Sequence, residues 1–119
     1  MEVYKVVRES WAEPGKYYSA LVDGLALMTY QTGAPAEVPD WLADQGYYAT
    51  AFDTPENAKL FAQAAGRDLQ IFVAEGDAVA LPDRAAIFDV VRGRLDSPVG
   101  GDWPAGTVMV KSLTLTAPA

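Results

Sequence analysis

Residues 45–62 read QGYYATAFDTPENAKLFA, and how they divide between strand and helix decides the fold. A glycine, an aromatic pair and small residues lead into Asp53-Thr54-Pro55, where the pattern becomes helical. The β-forming run at 46–52 predicts a short strand. Asp53 or Thr54 then caps a helix with Pro55 at its first position and Glu56 near the positive end of its dipole, and Gly66 terminates it. The predicted helix spans 54–65. Its buried stripe is Ala58, Phe61, Ala62 and Ala65, spaced i, i+3, i+4 and i+7, with Leu60 and Ala64 beside it.

Working outward, EVYKVVR at 2–8 alternates Val3, Lys5 and Val7 against Tyr4, Val6 and Arg8 and predicts a strand. Glu13-Pro14-Gly15 turns the chain. Residues 17–33 read as a hairpin about Asp23-Gly24, because both central turn positions favour residues that tolerate positive φ. A helix is the competing reading there, at a cost of about 1 kcal/mol for its interior glycine. Two prolines and two glycines leave 32–46 irregular apart from one helical turn at 39–43. Downstream, 68–82 predict two strands about Glu75-Gly76-Asp77. Residues 83–92 predict a short helix capped by Asp83, with an extended AIFDVV as the alternative, and 96–106 a loop carrying Trp103. GTVMVKSLTLT closes the chain as a strand. The sum is an α+β fold: about six mostly antiparallel strands, the helix at 54–65 and a second at 83–92. One core is expected to hold Phe61, Ile71, Val73, Val108 and Val110.

At 119 residues the chain has the size of one domain, 1–119, and its 50% hydrophobic and 21% charged content is that of a packed globule. It has no cysteine and no histidine, which removes disulfides, thiolate metal sites and every nucleophile system that needs an imidazole base. No metal and no cofactor are expected. With 9 basic and 16 acidic residues the net charge of −7 repels phosphate backbones and anionic membranes. The start, MEVYKVVRES, alternates and is charged, unlike a secretory signal, and no run is long enough to span a bilayer. A cytoplasmic protein of bacterial or phage origin is the expectation.

The Gly-aromatic strand leading into an Ala-rich helix at 46–62 resembles the central motif of the ADP-ribosyltransferase fold. Together with Tyr30-Gln31-Thr32-Gly33 it is also similar to small phage and bacterial domains that pair a Tyr-x-x-Gly motif with a later strand-helix unit. The first resemblance implies NAD in a cleft between two small sheets. By position it implies Arg8 as the cation that holds ribose or phosphate, Thr50 on a middle strand, Tyr47 and Tyr48 for stacking on nicotinamide, and Glu75 to stabilise an oxocarbenium-like centre. The chain departs from that pattern: it lacks histidine, Glu9 follows Arg8 where glycine is usual, and no acid or amide stands two positions before Glu75.

Each of these residues also has an ordinary role. A strand-end arginine is usually solvated or ion-paired, one of two successive strand tyrosines packs inward, and Glu-Gly-Asp is common turn chemistry. The tryptophans at 11, 41 and 103 fall in or beside loops, where they pin the loops to the core or offer an aromatic partner site. The leading expectation is a non-catalytic, acidic binding module, suited to a phage or mobile-element inhibitor, that docks on a basic protein partner through Trp41 and Trp103. The alternatives are a degenerate ADP-ribosyltransferase-like domain that binds NAD or a nucleotide, and an acidic nucleic-acid mimic. No nucleic acid or membrane is expected as a partner.

Overall fold

The alternation of the first strand, β1 (Glu2–Glu9), sets up two faces that the rest of the chain covers. Val3, Lys5 and Val7 point to one side and are all buried, while Val6 is buried on the other. The computed structural model describes residues 1–19, 29–44, 46–65, 69–81, 86–89, 94–98, 103 and 105–119. Within these, β2 (Tyr17–Ser19), β3 (Thr29–Tyr30), β4 (Pro35–Glu37), helix α1 (Asp40–Ala43) and β5 (Ala49–Phe52) follow β1. Helix α2 (Pro55–Ala65), β6 (Gln70–Val79), β7 (Ala86–Asp89), β8 (Arg94–Pro98) and β9 (Thr107–Pro118) complete the order. The fold is α+β, with an antiparallel seven-stranded sheet in which β6 pairs both β1 and β9, and a separate two-stranded sheet of β7 and β8.

Because β5 also pairs β1 and β9, the strands β1, β6, β9 and β5 form a closed circuit. Its inside is the main core, built from Val3, Val7, Ala49, Ala51, Phe72, Ala74, Val110, Leu113 and Leu115 and extended by Tyr30, Val38 and Leu42. Its outside carries a second cluster, in which Val6, Phe52 and Ala58 pack with Tyr4, Phe61, Ala62, Leu69 and Ile71. The single core expected of Phe61, Ile71, Val73, Val108 and Val110 is thus split. Residues 71 and 72 of one strand face opposite sides, so Ile71 meets Phe61 under α2 while Phe72 enters the circuit.

Helix α2 begins as its sequence predicts. The Asn57 N–H donates to Thr54 Oγ1 at 3.2 Å, and the Asn57 side-chain amide donates to Asp53 Oδ1 at 3.0 Å. Ala58 is fully buried, while Leu60 and Ala64 stay exposed, and the Ala65 side chain lies outside what is described. The small Ala58 lets the helix lie close on β1, β5 and β6.

Several expectations change. Glu75-Gly76-Asp77 is not a hairpin turn but the middle of β6, a single strand whose register with β9 shifts at Val73/Ala74 and at Gly76/Ala78. Gly76 is required by close approach: a Cβ there would sit 2.7 Å from the Ser112 carbonyl oxygen and 2.8 Å from Val110 Cβ. Of 83–92 the described residues are Ala86–Asp89, which are extended and pair with Arg94–Pro98, so the extended alternative holds there in place of helix, while Asp83 and the rest of the stretch lie outside the described residues; 96–98 is strand where the loop was expected to begin. Ile87 and Phe88 are strand formers, and cross-strand pairing overrides the weak helical period. The strand expected at 46–52 begins only at Ala49, and the irregular 32–46 segment contributes β4.

The turn at 13–15 and the helical turn at 39–43 form as read: Lys16 N–H donates to the Glu13 carbonyl at 3.1 Å, and α1 starts at Asp40. For 17–33, Tyr17 pairs Tyr30 and Tyr18 pairs Thr29, a register centred on Asp23-Gly24, which lie outside the described residues. The Tyr30-to-Gly33 motif has a structural purpose. Tyr30 is buried in the core, and Gly33, at φ 83°, sits at the third position of a turn closed by Ala34 N–H to the Gln31 carbonyl at 3.1 Å.

Candidate aromatic docking site

Leu42, almost fully buried, pins the single turn of α1 to the core, and the backbone N–H groups of Leu42 and Ala43 both donate to the Pro39 carbonyl. Gly46 then reverses the chain at φ 84°, and Tyr47 N–H donates back to the Leu42 carbonyl at 3.2 Å. This short stretch fixes Trp41 and Tyr47 from a common base. Tyr48 is held by its N–H, 3.3 Å from Met109 Sδ. Trp41, Tyr47 and Tyr48 all lean on the main core while remaining half-exposed. Trp103, which precedes β9, meets Tyr47, its ring centroid 6.4 Å from that of Tyr47 with planes inclined at 43°. The result is an aromatic shelf. Glu37, Asp40 and Asp44 are exposed on the segments that carry it, and α1 has no basic residue in its last turn.

The expectation that one of Tyr47 and Tyr48 packs inward while the other stays free does not hold. Both precede the strand, so the alternation that would separate them does not apply, and both are half-buried.

The residues implied by the ADP-ribosyltransferase resemblance are dispersed along β1. Tyr4 pairs Phe52 in antiparallel sense, so the start of β5, which Tyr47 and Tyr48 precede, lies toward the Val7 end of β1. Arg8 lies 5.6 Å over the Tyr18 ring, which Lys16 also approaches at 5.9 Å. Glu75 pairs with Glu2 at the far end of the strand, six positions from Arg8, or roughly 20 Å of extended chain. Its carboxylate is 3.3 Å from the Met1 amino group. Thr50 lies on β5, and its carbonyl oxygen accepts from Lys5 Nζ at 2.6 Å. Arg8, Tyr47 and Tyr48 are therefore brought to one end of the molecule and Glu75 to the other.

Two residues outside the shelf stand out. Lys5 lies inside the strand circuit, 5.6 Å from the Tyr30 ring, and burial pulls its pKa down from 10.5 to about 8. Trp11 is 96% exposed, the extreme among the large hydrophobics described. In the sequence it stands beside the Glu13-Pro14-Gly15 turn, among the three tryptophans placed in or next to loops. A shallow apolar groove of about 260 Å³ lies elsewhere, along α2, lined by Asn57, Leu60, Phe61, Ala64 and Ala105.

Among the described residues no cluster of three or more acidic side chains is placed to hold a metal ion, and no helix is long and apolar enough to cross a membrane. Fold and site together define a small acidic α+β domain with an aromatic surface at one end of its strand circuit. Comparison of the chain with known protein families, curated proteins and solved structures returns no significant match.

Proposed function

We propose that this chain is an acidic docking module that binds a basic protein partner through the aromatic shelf, without chemistry of its own. The observation that carries the reading is the Tyr47–Trp103 pair, with Trp41 half-buried on the adjacent α1 and Glu37, Asp40 and Asp44 exposed on the same segment of chain. Half-buried rings held by a core lose little conformational freedom on binding, and tryptophan and tyrosine are the side chains that most often dominate interfaces. The acidic surroundings and the net charge of −7 favour a cationic surface and speed its approach. An inhibitor encoded by a phage or mobile element would suit such a module.

The test begins with partners recovered on the immobilised chain and ends with binary calorimetry on each purified candidate. Trp41→Ala and Trp103→Ala should each weaken binding at least roughly tenfold, and added salt should weaken it further. No effect of either substitution on a verified complex would remove the shelf from the reading. The NAD-binding alternative predicts a rise in melting temperature with millimolar NAD, worth about 2.7 kcal/mol at 100 times the dissociation constant. We expect no rise. A rise abolished by Glu75→Ala or Tyr47→Ala in a folded protein would favour that alternative instead.

A further inference from the structure

The turn between β1 and β2 holds a tryptophan in water at a position where the backbone is tightly closed. Ser10 N–H donates to the Lys16 carbonyl at 2.8 Å, Lys16 N–H returns to the Glu13 carbonyl at 3.1 Å, and Glu13 N–H donates to Ser10 Oγ at 3.1 Å. Gly15 N–H donates to the Glu9 carboxylate at 3.3 Å, and Lys16 Nζ lies 3.4 Å from that of Glu13. Ser10 is itself buried, so the base of the turn belongs to the folded body. Trp11, which directly follows Ser10, is 96% exposed, although Trp41 and Trp103 are both half-buried against other groups. An indole left in water on a backbone fixed by four hydrogen bonds forgoes the burial that a core-pinning role would give it.

We propose that the 10–16 turn is a preformed anchor that inserts Trp11 into an apolar, basic-rimmed pocket on a protein partner. The inference rests on the docking reading above and adds to it the residue that should dominate affinity. Three observations select this occupant. The turn leaves the Val7 end of β1, the same end to which β5 brings Tyr47 and Tyr48, so Trp11 and the shelf can address one partner. Glu9 and Glu13 are exposed beside Trp11; Lys16 pairs with Glu13 and Arg8 lies over the Tyr18 ring, so the acidity offered to a partner here is that of Glu9 together with the net charge of the chain. The net charge of −7 opposes anionic membranes and second copies of the chain, the two other occupants that an exposed indole could recruit. Ordering the turn costs nothing further on binding, which is the condition under which one aromatic residue becomes a hot spot.

The experiment places a photo-crosslinking amino acid at Ala12, next to Trp11, and in a second protein at Ala64 on the exposed side of α2. The protein attached through Ala12 is identified, expressed and titrated against purified wild type, Trp11→Ala, Trp11→Phe and Trp103→Ala. The expected result is a basic partner linked through Ala12 and not through Ala64. Trp11→Ala should lower its affinity roughly 30-fold at unchanged melting temperature, with partial recovery in Trp11→Phe. An effect of Trp11→Ala within twofold, with Trp103→Ala still strongly weakening, would overturn the anchor and leave the docking reading intact. Crosslinking through Ala64 alone would overturn the anchor in favour of the α2 groove. No verified partner from either position would overturn both. Sedimentation as a dimer, or binding to phosphatidylcholine–phosphatidylserine vesicles, lost in Trp11→Ala, would replace the proposed partner by a second copy or a bilayer.

Discussion

Lys5 carries its ammonium group into the strand circuit, where its partners are the Thr50 carbonyl oxygen at 2.6 Å and the face of Tyr30. Burial disfavours the charged form, and the pKa falls from 10.5 to about 8. The unfolded chain therefore binds more protons than the folded one between those values, and stability rises with pH across that window. At about 1.4 kcal/mol per pH unit the gain is on the order of 3 kcal/mol. Lys5→Met removes this titration and leaves every other group in place. Denaturant unfolding of the two proteins should thus show wild type gaining on Lys5→Met from pH 7 to pH 10.5, and a constant difference across that range would contradict burial as the cause. Gly76 makes a second residue-scale case. An added methyl group has no room between the Ser112 carbonyl and Val110, so Gly76→Ala should cost about 2 kcal/mol in the same measurement. A neutral Gly76→Ala would mean that the strands separate freely at the bulge.

Helix α2 shows how an element is fixed from its first turn. Thr54 Oγ1 accepts the Asn57 N–H, and loop 105–106 closes over the same turn, with Asp53 N–H donating to the Gly106 carbonyl at 2.9 Å. Gly106 has a φ of 79°, and a Cβ there would run into the Asn57 and Asp53 side chains. Thr54→Ala loses one cap bond and should cost about 1 kcal/mol. Gly106→Ala adds backbone strain and a clash at the same place, and should destabilise by more than Thr54→Ala. Thermal melts of the two variants test this order, and the reverse order would show that the loop does not hold the helix end. The cap was legible in Asp53-Thr54-Pro55, but the loop that seats upon it was not, because Gly106 lies about fifty positions away in the chain.

At the scale of the whole molecule, the strand circuit joins the two ends of the chain. β1 and β9 are linked through both β5 and β6, while the outermost strands β3 and β4 are tied by the Gln31–Ala34 bridge. Edges of the seven-stranded sheet are thereby kept short among the described residues, and this sheet should not drive association by strand addition. Sedimentation should give a mass independent of concentration. Pairing of such distant segments must precede most of the core, so refolding belongs in the slow range of β-rich domains, on the order of milliseconds to seconds. Stopped-flow refolding completed within microseconds would contradict a closed circuit formed from both termini.

Local patterns in the sequence were sufficient for β1, α1, α2 and β9, since Val3/Lys5/Val7 alternation, the Thr54-Pro55 start and the Thr107–Thr116 run each specify an element without reference to the rest of the chain. They were also sufficient for the acidic character and for the absence of imidazole and thiol chemistry. The Glu75-Gly76-Asp77 stretch has turn composition, yet β9 lies against it and requires the missing side chain for close approach. Ala86–Asp89 carried two readings, and pairing with Arg94–Pro98 chose between them. Alternation put Lys5 on the same face as Val3 and Val7, but only closure of the circuit by β5 made that face an interior. The β1–β6 register separated Arg8 from Glu75, and the tertiary fold set Trp103 against Tyr47. Trp11 alone of the three tryptophans was left in the solvent. Exposure and convergence depend on which distant segments meet, and local propensity carries no record of that.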